Sequence, residues 1–408
     1  MKESVLYISY DGMTDPLGQS QVIPYLKKLS ELGFQFSVVS CEKEDKFEEL
    51  GGKIRYALED VKIDWYPVMY KKSPPGVSTL LNIRNLKKIV TKLFQKKEFS
   101  IIHCRSYLPA IIGLAMKRKF QVPIIFDMRG FWVDERVEGG LWNTKNPVYK
   151  FAFNYFKTLE SELVKEADAI ISLTQAGKEE VQKWPSWKET KVGITVIPCS
   201  CDFDFYKKPA EEELLHVRKE LGINPDDFVL TYVGSIGTWY LLDEMLEFYR
   251  VLLNVIPNAF FLLFSPVSDK FIEEKCFEHG IPVNRVKAMF VSKKDYPRYV
   301  GVSDFGLFFI KPCFSKIASS PTKLGELLSM EIPVVTNSGV GDVKKIIKET
   351  NGGIVISELN KNEYLSVAKQ IDSRFFKPDV AKARQIFDLN IAVEKYLKVY
   401  QQMLEKRK

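Results

Sequence analysis

Short apolar runs alternate with amphipathic stretches along most of the chain. Ser4–Ser9 (SVLYIS) is the first run, and it ends in a loop holding Gly12 and Gly18. Gln21–Leu32 then places Val22, Tyr25, Leu26 and Leu29 on one stripe of a helix, and Gly33 stops it. Phe36–Ser40, Ile101–His103, Pro123–Asp127, Ala169–Leu173 and Thr195–Pro198 are further strand-length runs, with a helix near Ala110–Lys119. Runs that are apolar throughout, rather than alternating, suit a parallel sheet covered on both faces.

The pattern restarts near residue 228. Phe228–Gly234, Phe260–Phe264, Val286–Phe290, Phe305–Phe309 and Pro333–Thr336 predict a second set of strands with helices between them. Each half therefore reads as a doubly wound, Rossmann-like sheet. The boundary falls at Cys199–Pro209, where aromatics, charges and a proline replace the periodicity. We expect an N-terminal domain over 1–200, a C-terminal domain over 201–390, and a last helix over 391–408 that packs back on the first domain. Val393, Tyr396, Leu397, Tyr400 and Leu404 form the apolar face of that helix.

Length and composition agree with two soluble α/β domains. The chain has 408 residues, 46% of them hydrophobic and 27% charged. No apolar run approaches the ~18 residues that a membrane span needs, and a strand is reached by Val5, so the expected location is the cytoplasm. Six scattered cysteines and three histidines (His103, His216 and His279) fit neither a disulfide framework nor a His-rich metal site. The net charge of +7 is concentrated: Tyr66–Phe126 holds twelve basic residues and one acid, Glu98. Such a field draws phosphates or an anionic membrane surface.

Ile310–Gly339 (IKPCFSKIASSPTKLGELLSMEIPVVTNSG) carries the clearest chemistry. It reads strand, polar loop, helix, strand. Ser319, Ser320, Pro321 and Thr322 fall at the helix start, where Ser or Thr caps the amides and proline fits the first turn. Free amides and a partial positive charge make a helix start a phosphate site, and Lys316 and Lys323 add full charges. Glu326, one turn on, suits a pair of vicinal ribose hydroxyls. An ordinary capped helix with a solvated Glu and Lys fits the same residues.

The segment resembles the donor motif of the family 4 glycosyltransferases, in which two glutamates with seven residues between them bracket a nucleotide-sugar. Glu326 matches the second glutamate, Ala318 stands in place of the first, and Glu331 stands where glycine is usual. Asp11–Gln21 resembles the family's first loop, with Gly18 where glycine lets backbone approach the donor phosphates. Tyr232–Gly237 resembles the first strand of the donor domain, with Ser235 in place of the usual arginine. The resemblance implies the GT-B fold, two Rossmann-like domains facing across a cleft. It implies transfer of a sugar with retention from a nucleotide-diphosphate sugar, which serves as co-substrate with no separate cofactor or metal. Gly18, Ser235, Lys316, Ser320, Thr322, Lys323 and Glu326 are then the donor-binding residues.

Phe126–Gly140 (FDMRGFWVDERVEGG) is the second unusual stretch. Asp127 and Arg129 appear as a buried strand ends, where ligands lie in open parallel sheets. Family members place His or Asp there, so Asp127, Arg129 and the neighbouring strand's His103 are the expected catalytic residues; an Asp–Arg pair capping a loop is the alternative. Asp202 and Asp204 form a DxD, but in a linker rather than after a strand, and no metal is expected there.

Thr79–Lys97 reads as a helix with Leu80, Ile83, Leu86 and Val90 on its apolar face and Arg84, Lys87, Lys88 and Lys92 opposite. It is either a sheet-covering helix with a solvated face or a dock for anionic lipid, which fits a glycan or lipid-linked acceptor and peripheral attachment to the cytoplasmic face of a membrane. No nucleic-acid module accompanies the charge. Competing readings are a nucleotide-sugar epimerase or hydrolase of the same fold, and a non-catalytic binding protein that kept the fold.

Overall fold

The computed structural model describes residues 3–74, 76–373 and 376–405. The chain divides into two compact units, Met1–Ser200 with Leu389–Lys408, and Cys201–Asp388. The last three residues of the sequence-expected terminal helix, 406–408, lie outside the described residues.

In the first unit seven parallel strands form one sheet. They are β1 (Glu3–Ser9), β2 (Phe34–Glu42), β3 (Asp64–Met69), β4 (Ile101–Arg105), β5 (Ile124–Asp127), β6 (Ala169–Ser172) and β7 (Ile194–Val196). Their order is β3-β2-β1-β4-β5-β6-β7. The second unit has six parallel strands: β8 (Phe228–Val233), β9 (Ala259–Phe264), β10 (Val286–Met289), β11 (Phe305–Phe308), β12 (Val334–Asn337) and β13 (Gly353–Ile356). Their order is β10-β9-β8-β11-β12-β13. Both sheets thus reverse direction beside their first strand, at β1/β4 and at β8/β11. Such switch points leave a crevice beyond the strands' carboxyl ends.

Helices cover both faces of each sheet, so consecutive residues such as Val5, Leu6, Tyr7 and Ile8 are all fully buried. The terminal helix, Leu389–Glu405, belongs to the first unit and buries Ala392, Val393, Tyr396, Val399, Tyr400 and Met403. It packs on the Ile23–Glu31 helix, with Tyr396 stacked on Tyr25 at 4.5 Å between ring centroids.

The pattern of the sequence missed two strands, β3 and β13. β3 contains Pro67, which cannot donate a ladder hydrogen bond and is tolerated because β3 is an edge strand. β13 is a four-residue edge strand. The expected Gln21–Leu32 helix is two helices, Pro16–Gln21 and Ile23–Glu31, broken at Val22 (φ −130°, ψ −64°). Pro24 explains the break, since proline is accepted in a first turn and not inside a helix. The basic helix runs Val77–Phe94, and Leu80, expected on its buried face, is 68% exposed. Asn82 is buried instead, its side chain bonded to the backbone of Lys71 and to the Tyr10 hydroxyl.

The loop after β1 is pinned by a residue the sequence did not single out. Glu42, fully buried at the end of β2, accepts hydrogen bonds from the Met13 and Thr14 amides and the Thr14 hydroxyl. Gly18 belongs to the same packing. A Cβ there would lie 2.1 Å from the Gly12 carbonyl oxygen, so glycine is needed by the loop itself. Gly18→Ala should therefore lower stability by about 1–3 kcal/mol, the usual cost of overpacking. Gly52→Ala, in the middle of the Glu44–Glu59 helix with open space around it, should raise stability by about 0.5–1 kcal/mol. Denaturant unfolding of the two variants measures both; equal effects would show that the close approach at Gly18 does not exist in solution.

Candidate functional site

The second unit's switch point is built around a lysine. β8 ends at Val233, and the chain turns at Gly234 (φ +127°), where the left-handed backbone favours glycine. A Cβ at Gly234 would sit 3.1 Å from Lys323 Nζ. Lys323 is in the first turn of the Thr322–Ser329 helix and is 5% exposed. Its ammonium has no hydrogen-bond partner and faces aromatic rings: Tyr240 at 3.6 Å, Tyr232 at 4.4 Å and Phe308 at 5.7 Å from the ring centroids. Cation–π contact returns roughly 2 kcal/mol when desolvated, against a desolvation cost of several kcal/mol per ion. Burial accordingly pushes the Lys323 pKa well below that of an ordinary lysine, with the Glu326 charge opposing in part.

Around Lys323 the loops are fixed by backbone bonds. The Leu241 amide donates to the Phe309 carbonyl, the Lys311 amide to the Trp239 carbonyl, and Tyr240 bridges Ile310. This places the Trp239 ring over Lys316, 3.6 Å from its Nζ. Asn337, at the end of β12, clamps Ile310 through both its amide and carbonyl groups. Pro321 is the N-cap of the helix and no side chain caps it, contrary to the Ser/Thr cap expected from the sequence. Ser320 and Thr322 are half-buried at this start. A helix start without a side-chain cap, beside a buried cation, offers donors and charge to an anion.

Glu326 lies one turn beyond Lys323. Burial raises its pKa, while Tyr296, Tyr206, Lys323 and Lys293 hold it down. The Tyr296 hydroxyl is buried and makes no hydrogen bond of normal geometry. Ser235, by contrast, is exposed, and its carbonyl accepts the Tyr232 hydroxyl at 2.6 Å. Ala318, where the family motif has its first glutamate, is packed in the interior. Glu331 adopts φ +61°, the conformation for which glycine is usual.

Asp127, His103 and Arg129 come together in the first unit, at the carboxyl ends of β4 and β5. His103 Nε2 lies 3.5 Å from Asp127 Oδ2, and Arg129 Nη1 lies 3.9 Å from Asp127 Oδ1. Asp127 and His103 are fully buried. Burial alone would raise the Asp127 pKa, but Arg129, His103 and Arg105 together hold it below the usual carboxylate range. Burial lowers that of His103, against the pull of Asp127. His103 Nδ1 is 2.7 Å from the Tyr400 hydroxyl, so the terminal helix fixes the ring. Neither Asp127 nor His103 has surface to offer a substrate. Arg129 does, with 11% of its side chain exposed and a left-handed backbone (φ +54°) that turns it out of the strand end. Arg105 Nε reaches Asp11 Oδ2, 3.4 Å away across the switch point.

Two acidic groups have other occupations. Asp202 Oδ1 accepts the amides of Asp204 and Phe205, and Asp204 pairs with Lys207 and Arg384. Asp243, Glu278 and His279 bring ligand atoms within 4.8 Å of one another, but Lys275 Nζ bonds Asp243 at 2.9 Å and Glu278 at 2.8 Å.

Sequence reasoning named Lys316, Lys323 and Glu326. It gave no role to Trp239, Tyr240, Tyr206, Tyr296 or Asn337, whose aromatic and amide groups line or brace the same place. Trp239 and Tyr240 follow the β8 turn closely in sequence, but the pairing of each ring with a lysine needs the fold.

Because an anion stabilises the charged amine, ligand binding at Lys323 should take up a proton. Affinity for a nucleoside diphosphate should fall as pH rises through the depressed Lys323 pKa, by up to about tenfold per pH unit. Lys323→Met should bind more weakly with a flatter profile. Calorimetric titration across pH checks this, and an identical slope in the variant would place the titrating group elsewhere.

The family model for glycosyltransferase family 4 matches residues 20–205. Alpha-monoglucosyldiacylglycerol synthase of Acholeplasma laidlawii is 22% identical over 265 residues, which are 63% of this chain and 62% of that relative, so under two thirds of its length is matched. The structure is similar to Anabaena HepE in complex with UDP and glucose (TM-score 0.67, 14% identity, 98% and 100% of the two chains). It is also similar to a glycosyltransferase from Rickettsia africae (TM-score 0.69, 15% identity, 99% of each chain). Two doubly wound parallel-sheet units, and these similarities along the chain, make this protein a GT-B-fold relative of the family 4 glycosyltransferases.

Proposed function

We propose that the chain is a glycosyltransferase that moves a sugar, with retention, from a nucleotide-diphosphate sugar to a hydroxyl acceptor on a glycan or lipid. The observation that carries this is the buried Lys323 ammonium, without a hydrogen-bond partner, at the β8/β11 switch point beside an uncapped helix start. A diphosphate supplies the missing anion. Lys323, Lys316 and the backbone from Ser320 to Thr322 hold it, and the Glu326 carboxylate takes the ribose hydroxyls. During transfer the bond from the anomeric carbon to the diphosphate breaks and the acceptor oxygen bonds that carbon. The acceptor's proton leaves with the nucleotide. Lysines and amides stabilise the departing charge without a metal.

On the acceptor side Arg129 touches the ligand, and Asp127 and His103 are positioning residues that hold its guanidinium. The lipid alternative among acceptors draws support from the A. laidlawii relative, whose name states a diacylglycerol product. It also draws support from the Val77–Phe94 helix. Arg84, Lys87, Lys88 and Lys92 are exposed along it and line one groove. Near an anionic bilayer each contributes roughly 1 kcal/mol. The described residues contain no helix long and apolar enough to cross a membrane, so the attachment proposed is peripheral.

Glu326→Gln should raise the donor KM at least about tenfold, the loss of one charge-assisted hydrogen-bond pair, while the melting temperature stays near that of the wild type. Unchanged kinetics would remove Glu326 from the donor site. Turnover of the donor at full rate with no acceptor present would favour an epimerase or hydrolase over a transferase.

A further inference from the structure

The helix Pro147–Glu166 is packed at only one end. Its buried residues, Leu159, Glu160, Leu163 and Val164, all lie in the second half. The first half carries Val148, Phe151 and Tyr155, which are 72%, 74% and 51% exposed. Their spacing puts them on one stripe. Leu141, in the turn before the helix, is exposed as well. The inner side of these turns is held by Phe156, which packs on Trp132 and Trp142, so the outward stripe is fixed in place. Lys145 and Lys150 are exposed beside the stripe, with no acid between Leu141 and Leu159, whereas Lys157 is paired with Asp134 and Glu160.

We propose that this stripe is the part of the protein that enters the interfacial layer of an anionic lipid bilayer. The proposal rests on the membrane reading above and names the side chains that insert. A rigid apolar stripe flanked by lysines is the pattern of helices that lie in the headgroup layer. Tyrosine keeps its hydroxyl among headgroups while its ring is buried. Lysine stems follow the apolar surface and leave the charge outside. A second copy of the chain is the poorer occupant, because a self-complementary contact sets the same lysines against each other.

The fold places the stripe where an acceptor needs it. The Tyr107–Phe120 helix packs against both the basic Val77–Phe94 helix and the Pro147–Glu166 helix. All three follow strands of one parallel sheet and start at its carboxyl edge. The exposed Val77 and Leu80, at the start of the basic helix, are therefore at the same edge as Val148 and Phe151. That edge also holds Asp11, Arg105 and Arg129. A lipid-linked hydroxyl then reaches the strand ends without its chains leaving the bilayer.

The test is flotation of the full-length protein with phosphatidylcholine vesicles and with phosphatidylcholine–phosphatidylglycerol vesicles. Wild type should float with the anionic vesicles. The double variant Phe151→Glu/Tyr155→Glu should lose at least about tenfold in partitioning, with its melting temperature and its stabilisation by nucleoside diphosphate unchanged. Lys87→Glu/Lys88→Glu should weaken flotation in a way that added salt masks, whereas the aromatic loss should persist in salt. If the double variant floats like wild type, this inference falls and the basic-helix reading stands. If wild type does not float, both fall. If the double variant instead converts an oligomer to a monomer on size exclusion with flotation intact, the stripe is a contact between copies and the inference is overturned.

Discussion

The second unit is organised around a cation that the fold has removed from water without giving it an anion. Lys323 points into the space between Gly234 and the ends of β8 and β11, with ring faces as its neighbours. An unpaired buried ammonium is costly. Such a group persists where something outside the chain completes it, and functional sites are enriched in groups of this kind. The surrounding architecture follows from holding that charge open. Gly234 keeps the approach clear, the bonds between Tyr240, Leu241, Phe309 and Lys311 set the loop, and Asn337 locks the segment that leads to the helix start. The Trp239 and Tyr240 rings lie against the Lys316 and Lys323 ammonium groups, each 3.6 Å from its ring centroid.

The first unit solves the opposite problem. Asp127 is buried among cations, Arg129 and Arg105, and beside His103. The terminal helix closes this core from below through Tyr400 and Tyr396, with Tyr7 and Tyr25 sharing a hydrogen bond alongside. Burial pushes the Tyr7 phenol up to about 12, so this layer stays neutral across ordinary pH. The network leaves Arg129 as the partly exposed member of the cluster, with Asp127 and His103 packed behind it.

Much of this was legible in the chain because parallel sheets write themselves as short apolar runs. β1, β5, β9 and β11 appear almost directly in SVLYIS, PIIFD, AFFLLF and FGLFF. β3 and β13 did not, because an edge strand is covered on one side only and tolerates proline or a four-residue length. The lysines and glutamate of 316–326 were legible because a helix start imposes residue types at fixed spacing. Tyr206 and Tyr296 were not, since they stand 120 and 30 residues before Glu326 and only the fold joins them to it, and Asn337 was not, since its clamp on Ile310 spans 27 residues. Asp127 was visible at its strand end, but its burial was not, because sequence shows where a strand stops and not how deep its last side chain is packed. Leu80 misled for the same reason: helical spacing marks a stripe, and only packing shows where along the helix the stripe emerges.

The most direct test of the Lys323 site is thermal melting of the intact protein in phosphate-free buffer with EDTA, against UDP, GDP, ADP and CMP and their sugar conjugates. A ligand that prefers the native state raises its stability in proportion to its affinity. The account predicts that one nucleoside diphosphate series raises the melting temperature and that Lys323→Met abolishes the rise. Stabilisation by that series of the same size in Lys323→Met, or no stabilisation by any of them, would contradict the assignment of this buried cation to a donor diphosphate.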